Sequence, residues 1–331
     1  MIKILKAHSD NINNNYIGKL AQYKITESLG DDHLYPVYLA KTDHSDEIHV
    51  IKTMDLNDES FYNECQIFEL PEHRNIIRAT EILTGVNVDF KRSSEATDDT
   101  QGFCRSRRTN AVVMEFAEHG DLFNYLLQGP LPEGIARYFF EQVLNAVEHL
   151  HRNRFCHLDL KLDNILLDRD FNVKLTDFGF AAKLEGNEPL YKRVGTPSYR
   201  PPEMWKFEGD YKGYDGIKTD MFQLGIILFI LVTGLPPFSE AHYGDLWYRP
   251  AIVGKWDVFW NFREKQAKHK NQGSAVFDNN FKTLIMQLLA PNEYLRPTIE
   301  AVRESAWYKN GKRSTNQEVI AEMKKRKELM K

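Results

Sequence analysis

The chain reads HLDLKLDN from His157 to Asn164 and TDFG from Thr176 to Gly179. The two stretches put two carboxylates (Asp159, Asp177), a lysine (Lys161) and an amide (Asn164) on adjacent loops. A tripeptide such as DFG arises by chance in many proteins; several motifs in order at consistent spacing do not. Around them lie 331 residues, 42% hydrophobic and 27% charged, enough to bury a large core in one two-lobed domain or two ordinary ones. A net charge of -4 offers no basic excess for nucleic acid, so no nucleic-acid partner is expected. The three cysteines, Cys65, Cys104 and Cys156, are odd in number and widely spaced, which argues against a disulfide framework or zinc site and for a reducing compartment. The expected location is cytoplasmic, with the nucleus left open. The N-terminus has too short an apolar stretch for a signal peptide, and the run Leu224 to Val232 is too short to span a bilayer and reads as a buried core helix.

HLDLKLDN and TDFG resemble the H-R-D-L-x-x-x-N and D-F-G motifs of eukaryotic protein kinases. Lys161 two residues after Asp159, with Thr196 in the segment GTPSYRPPE, is similar to the serine/threonine type. The run LFILVTGLPPF, Leu228 to Phe238, resembles the calcium/calmodulin-dependent and AMP-activated groups. The resemblance implies an α+β, bilobal fold, with a small antiparallel β-sheet lobe carrying one main helix and a larger, mainly helical lobe. It also implies ATP and Mg2+ as cofactors and protein Ser/Thr hydroxyls as acceptors. Asp159 would be the base, Lys161 would steady the transferred phosphate, and Asn164 and Asp177 would hold magnesium, whose preference for hard oxygen donors they suit. Lys52, in HVIKTM, would hold the α and β phosphates in an ion pair with Glu64. Leu29, Gly30, Val37, Val50 and Leu166 would line the nucleotide, with Met114 as gatekeeper, Glu115 to Ala117 as hinge and Asp121 at the ribose. Thr196 belongs to the substrate-positioning loop, Glu203 would pair with Arg296, and Asp220 would anchor the catalytic loop.

The same resemblance sets the expected boundaries. Residues 1–22, asparagine-rich, read as a flexible lead-in, and 23–308 as the domain (first lobe 23–114, hinge 115–120, second lobe 121–308). YKITESLG, VYLA and HVIKTM read as strands, and Glu59 to Glu69 as a helix stopped by Pro71. Residues 85–110, polar and of mixed charge, read as an inserted loop. Residues 309–331 read as a basic amphipathic tail helix on which a regulatory partner could act.

Three departures bear on function. Of the glycine-rich pattern G-x-G-x-x-G-x-V only Gly30 and Val37 remain; Asp32 and Tyr35 stand for the other glycines. A carboxylate ~6 Å from a phosphate charge costs about 3 kcal/mol at an effective dielectric of ~20. This sets a second reading beside the enzyme: a pseudokinase that uses the fold as a nucleotide- or protein-binding scaffold. Leu158 replaces the arginine of H-R-D, and no serine or threonine lies between Asp177 and Thr196, so activity should not depend on phosphorylation of that segment. Asp121 and Asp163 would face the upstream part of a peptide substrate and favour basic residues there.

Overall fold

The computed structural model describes residues 17–30, 35–91, 103–186, 188–269 and 277–330. Six antiparallel strands form the first lobe: β1 (Gly18–Leu20), β2 (Tyr23–Gly30), β3 (Val37–Thr42), β4 (Ser45–Met54), β5 (Ala79–Lys91) and β6 (Phe103–Glu115). They follow the order β1-β2-β3-β4-β6-β5 and close into a barrel because β1 pairs with both β2 and β5. Closure leaves no edge open and encloses Leu20, Tyr23, Ile25, Tyr38, Ala40, Ile51, Val88, Ala111 and Val113.

Two sequence expectations need correction here. The lead-in 1–22 includes β1, and the inserted loop 85–110 includes the far halves of β5 and β6, paired from Val86↔Thr109 to Phe90↔Arg105. Val86, Val88 and Phe90 alternate with Asn87 and Asp89, the period of a half-buried strand. Charge obscured that period; β1 supplies the partner that the segment needs. Residues 1–16 and 92–102 lie outside the described residues.

Helix α1 (Glu59–Phe68) starts where the Asp58 carboxylate accepts from Ser60 N (2.8 Å), and buries Phe61, Glu64 and Ile67 on the face turned to the sheet and the second lobe. The second lobe runs through α2 (Leu122–Leu126), α3 (Glu133–Arg152), β7 (Phe155–Cys156), β8 (Ile165–Leu167), β9 (Val173–Leu175), β10 (Ala182–Lys183) and α4 (Gly216–Thr233). It continues with α5 (Arg249–Ile252), α6 (Trp256–His269), α7 (Asn279–Leu288), α8 (Ile299–Glu304), α9 (Ala306–Asn310) and α10 (Asn316–Leu329). By length and composition α4 could cross a membrane, but 83% of it is buried inside the lobe, as a core helix is. Asp215 caps its start, and Gly234, at φ 69°, ends it.

The lobes join through His73-Arg74-Asn75. Ile77 N donates to Leu175 O (2.9 Å), and Asn75 Nδ2 donates to Gln142 Oε1 (2.8 Å) and Val173 O (3.1 Å). The base of α1 is thereby tied to the β8–β9 hairpin, which carries Leu166 between Asn164 and Asp177.

Candidate active site

β4 delivers Lys52 opposite Val37 and Val112, and α1 delivers Glu64 to meet it. Their ion pair is buried, and Lys52 Nζ also donates to Asp177 Oδ1 (2.9 Å). Burial pushes the Lys52 ammonium toward losing its proton, but Glu64 and Asp177 outweigh that and hold it firmly charged. Burial likewise raises the pKa of the Glu64 carboxyl, opposed by Lys52. At Asp177 burial acts upward too, but Lys52 prevails and the pKa falls below the usual carboxylate range.

Further contacts hold α1 in this position. Asn63 Nδ2 donates to Gly179 O (2.9 Å), and Glu59 pairs with Lys192 at the exposed end. Tyr35, standing for a loop glycine, shares a hydrogen bond with Ser60 Oγ (2.8 Å), and its ring centroid lies 5.1 Å from Lys52 Nζ. The Phe178 ring meets Phe68 edge-to-face and His157 at a tilt, with centroids 5.8 and 5.2 Å apart. Asn63 and Ser60 were not among the residues singled out from the sequence, and Tyr35 stood there only as a lost glycine. Each meets a partner far along the chain, and no local pattern announces such a meeting.

The loop His157–Asn164 is held from below by α4. Asp220 accepts from His157 N (2.9 Å), Leu158 N (2.8 Å) and His151 Nε2 (2.8 Å). Gln223 accepts from Leu160 N (2.9 Å) and donates to Leu158 O (2.9 Å). These bonds hold Leu158 at φ 67°, a left-handed conformation unusual for a leucine. On that support Asp159 accepts from Thr196 N and Thr196 Oγ1, both at 2.7 Å, and from Lys161 Nζ at 2.8 Å. Lys161 Nζ reaches Thr196 Oγ1 as well (2.9 Å), so the carboxylate, ammonium and hydroxyl form one cluster. Asn164 Nδ2 donates to Asp159 O (2.9 Å), which leaves its amide oxygen for another partner. Asp177 has a second carboxylate oxygen beyond the one bound to Lys52. These two oxygen donors fit a hard divalent cation such as Mg2+. Among the described residues, no group of three or more His, Cys, Asp or Glu side chains forms another metal centre.

The remaining residues line the hinge side. Gly30 pairs with Val37 at the mouth of the β2–β3 hairpin, and the loop Asp31–Leu34, Asp32 included, lies outside the described residues. Leu29 is buried, and Val50 lies opposite both Leu39 and Met114. Met114 and Ala117 are buried. Glu115 accepts from Arg78 N (2.8 Å) and from Lys174 Nζ (2.9 Å). Asp121 bridges to Leu166 and caps α2, accepting from Asn124 N (3.0 Å) and Asn124 Nδ2 (2.7 Å). Burial raises its pKa, with Asp163 adding to the rise.

The segment after Asp177 is anchored by apolar contacts. Leu158 packs with Cys156, Val194, Met204 and Tyr214, and Ala182, Leu184 and Leu190 pack against them. A cavity of about 300 Å³ opens beside this cluster, between α1 and the segment. Arg200 donates to Val194 O (3.1 Å) and Gly195 O (2.9 Å), and Arg193 donates to Lys206 O (2.7 Å), so both serve the loop itself. Further on, Arg296 grips Glu203 with two bonds, of 2.7 and 2.6 Å, deep in the second lobe.

A family model described as protein kinase domain matches residues 23–308. The chain is 27% identical over 300 residues to CBL-interacting serine/threonine-protein kinase 2 of Arabidopsis thaliana, covering 88% of this chain and 57% of that protein. It is 29% identical to CBL-interacting serine/threonine-protein kinase 15 of Arabidopsis thaliana, covering 92% and 65%. To serine/threonine-protein kinase SIK1 of Mus musculus it is 30% identical, covering 86% of this chain and 32% of that one. The chain thus spans less than two thirds of the length of each of these relatives.

Proposed function

The chain belongs to the protein kinase family, and from that premise we propose that it is a serine/threonine protein kinase that transfers the γ-phosphoryl group of ATP to protein hydroxyls with Mg2+. The observation that carries the reading is the pair of clusters on one cleft: Lys52–Glu64–Asp177 on one side, Asp159–Lys161–Thr196 on the other. Phosphoryl transfer asks for placement and charge neutralisation more than covalent chemistry. Lys52 would hold the α and β phosphates, with its ammonium kept charged by Glu64. Asp159 would accept the hydrogen bond of the substrate hydroxyl and receive its proton. The hydroxyl oxygen would bond to the γ phosphorus while the bond to the β-phosphate oxygen breaks, and Lys161 would balance charge on the moving group. Magnesium, held by Asn164 and Asp177, would supply charge neutralisation at the phosphates.

The scaffold alternative has no observation in its favour, because every side chain assigned to chemistry has a partner in the arrangement above. The test is transfer from labelled ATP to a general protein substrate. Label appears with Mg2+ and is lost when EDTA is added; a chain that labels nothing beside an active control kinase overturns the reading. The free thiols Cys65 and Cys156 support a cytoplasmic or nuclear setting as part of the same proposal.

Two finer points follow. Leu158 seats the segment in an apolar cluster where other members of the family use an arginine and a phosphate, so the segment is ordered without modification. Its one hydroxyl-bearing side chain is Tyr191, which is exposed. Phosphatase treatment and Tyr191→Phe each leave turnover within about twofold of the untreated enzyme; a large loss, restored by rephosphorylation between Asp177 and Thr196, contradicts this. As for substrates, both oxygens of Asp121 already serve Asn124, so a preference for upstream Arg or Lys rests mainly on Asp163. A degenerate peptide array shows modest enrichment of basic residues, lost in Asp163→Ala; an array without that enrichment removes the preference.

A further inference from the structure

The tail helix takes no part in the chemistry above, yet it ends against the segment that leaves the hinge. Glu318 and Thr315 form a capping box at its start, and Val319 and Met323 are fully buried against the second lobe. Before the helix, Ser314 N donates to Gly134 O (3.2 Å) and Arg313 pairs with Glu141 (3.0 Å), which runs the chain along α3. At its far end Arg326 is buried and donates to Tyr125 O (3.1 Å), Gly129 O (2.7 Å) and Pro130 O (2.6 Å), with Glu322 holding its Nε (2.8 Å). Lys327 Nζ donates to His119 Nδ1 (2.8 Å), and the His119 ring stacks on Phe171 with centroids 3.8 Å apart.

Both contacts reach the nucleotide side of the cleft. His119 lies between the hinge residue Ala117 and Asp121, and its N–H donates to Leu167 O (3.0 Å). Gly120 O accepts from Leu167 N (2.8 Å), so this segment and β8, which bears Leu166, form one ribbon. Of the carbonyls that Arg326 gathers, that of Tyr125 lies in α2, the helix whose first turn Asp121 caps, and those of Gly129 and Pro130 follow it. The tail therefore braces the His119–Asp121 segment from both flanks, through a ring and through a helix.

We propose that α10 is a brace for nucleotide binding, with Arg326 and Lys327 as positioning residues, so that lifting the tail off weakens the hold on ATP. A partner that captures this helix would then lower activity. An inhibitory tail would behave in the opposite way. The inference rests on the kinase reading for its effect on turnover, but its primary readout is nucleotide binding, which does not.

The experiment uses the full chain and a fluorescent ATP analogue with Mg2+, together with steady-state kinetics, well below the melting temperature of each variant. Arg326→Ala and Lys327→Met each weaken the Kd for the analogue and raise the KM for ATP about fivefold or more, while kcat and the KM for a protein substrate stay within about twofold. Lys325→Ala, on the exposed face of the same helix, changes neither. A purely structural contribution lowers kcat and the melting temperature without this split between constants, and overturns the proposal. So do an unchanged Kd in both variants and a rise in activity. A wild-type chain that binds the analogue but transfers nothing contradicts the kinase reading and leaves the brace to be judged by Kd. A chain that binds no nucleotide overturns both.

Discussion

Asp159→Asn lowers kcat about a thousandfold, within the range of ~10²–10⁴ that a positioned general base contributes. The substitution keeps shape and volume, so the fold has no packing reason to change. What changes is the set of acceptors. Asp159 is surrounded by donors: Thr196 N and Oγ1 on one oxygen, Lys161 Nζ at 2.8 Å and Asn164 Nδ2 at 3.4 Å on the other. An amide must turn its NH2 toward one of these groups, setting donor against donor at a cost of about 1–3 kcal/mol. The incoming hydroxyl loses its proton acceptor at the same site. On the proposed reading Lys52 and the hinge would carry nucleotide binding, so the Kd for an ATP analogue stays within about twofold. The loss therefore falls on kcat. Single-turnover labelling with matched nucleotide titrations checks it; turnover above a tenth of wild type would show that Asp159 is not the base.

Gly195→Ala is the second large effect, and it needs no change in any charged group. Gly195 sits at φ +82°, and a Cβ built there would overlap Leu158 O and lie 3.5 Å from Asp159 Oδ1. The first contact is with backbone, which Gln223 and Asp220 hold in place, so relief must come from the Gly195–Thr196 segment moving away. That movement breaks the bonds from Thr196 to Asp159. A shift of about 1 Å at reacting groups costs on the order of a hundredfold in rate. The strained conformation adds about 1–3 kcal/mol against the folded state. The expected result is a loss of about a hundredfold in kcat with ATP affinity nearly intact, together with a lower melting temperature. Turnover within threefold of wild type would mean that the loop can yield without disturbing Asp159.

The two substitutions draw on different sources of legibility. Asp159 stands out because its neighbours in the chain, Lys161 and Asn164, are also its neighbours in space, and the expected pairings of Lys52 with Glu64 and of Glu203 with Arg296 form across the fold. Gly195 is an ordinary glycine until its left-handed φ and the approach of Leu158 O are known. Asn63 and Arg326 are of the same kind: their acceptors are 116 and 197 residues away for Gly179 and Gly129 respectively, and any polar residue on a helix face would read alike.

Read with its resemblance to protein kinases, the sequence determined the two-lobed architecture, the identity of the residues gathered at the cleft, and the absence of serine or threonine between Asp177 and Thr196, because each rests on short motifs and patterns that follow one another in order along the chain. Only the tertiary structure decided that residues 18–20, 86–91 and 103–109 complete a closed barrel, since a strand of mixed polarity becomes a strand when a partner satisfies its backbone. It alone decided that Tyr35 lies against Ser60 and Lys52. It also decided that the basic tail, amphipathic by composition, turns Arg326 inward to three carbonyls, where burial of a charge is tolerable only because that geometry meets its donors.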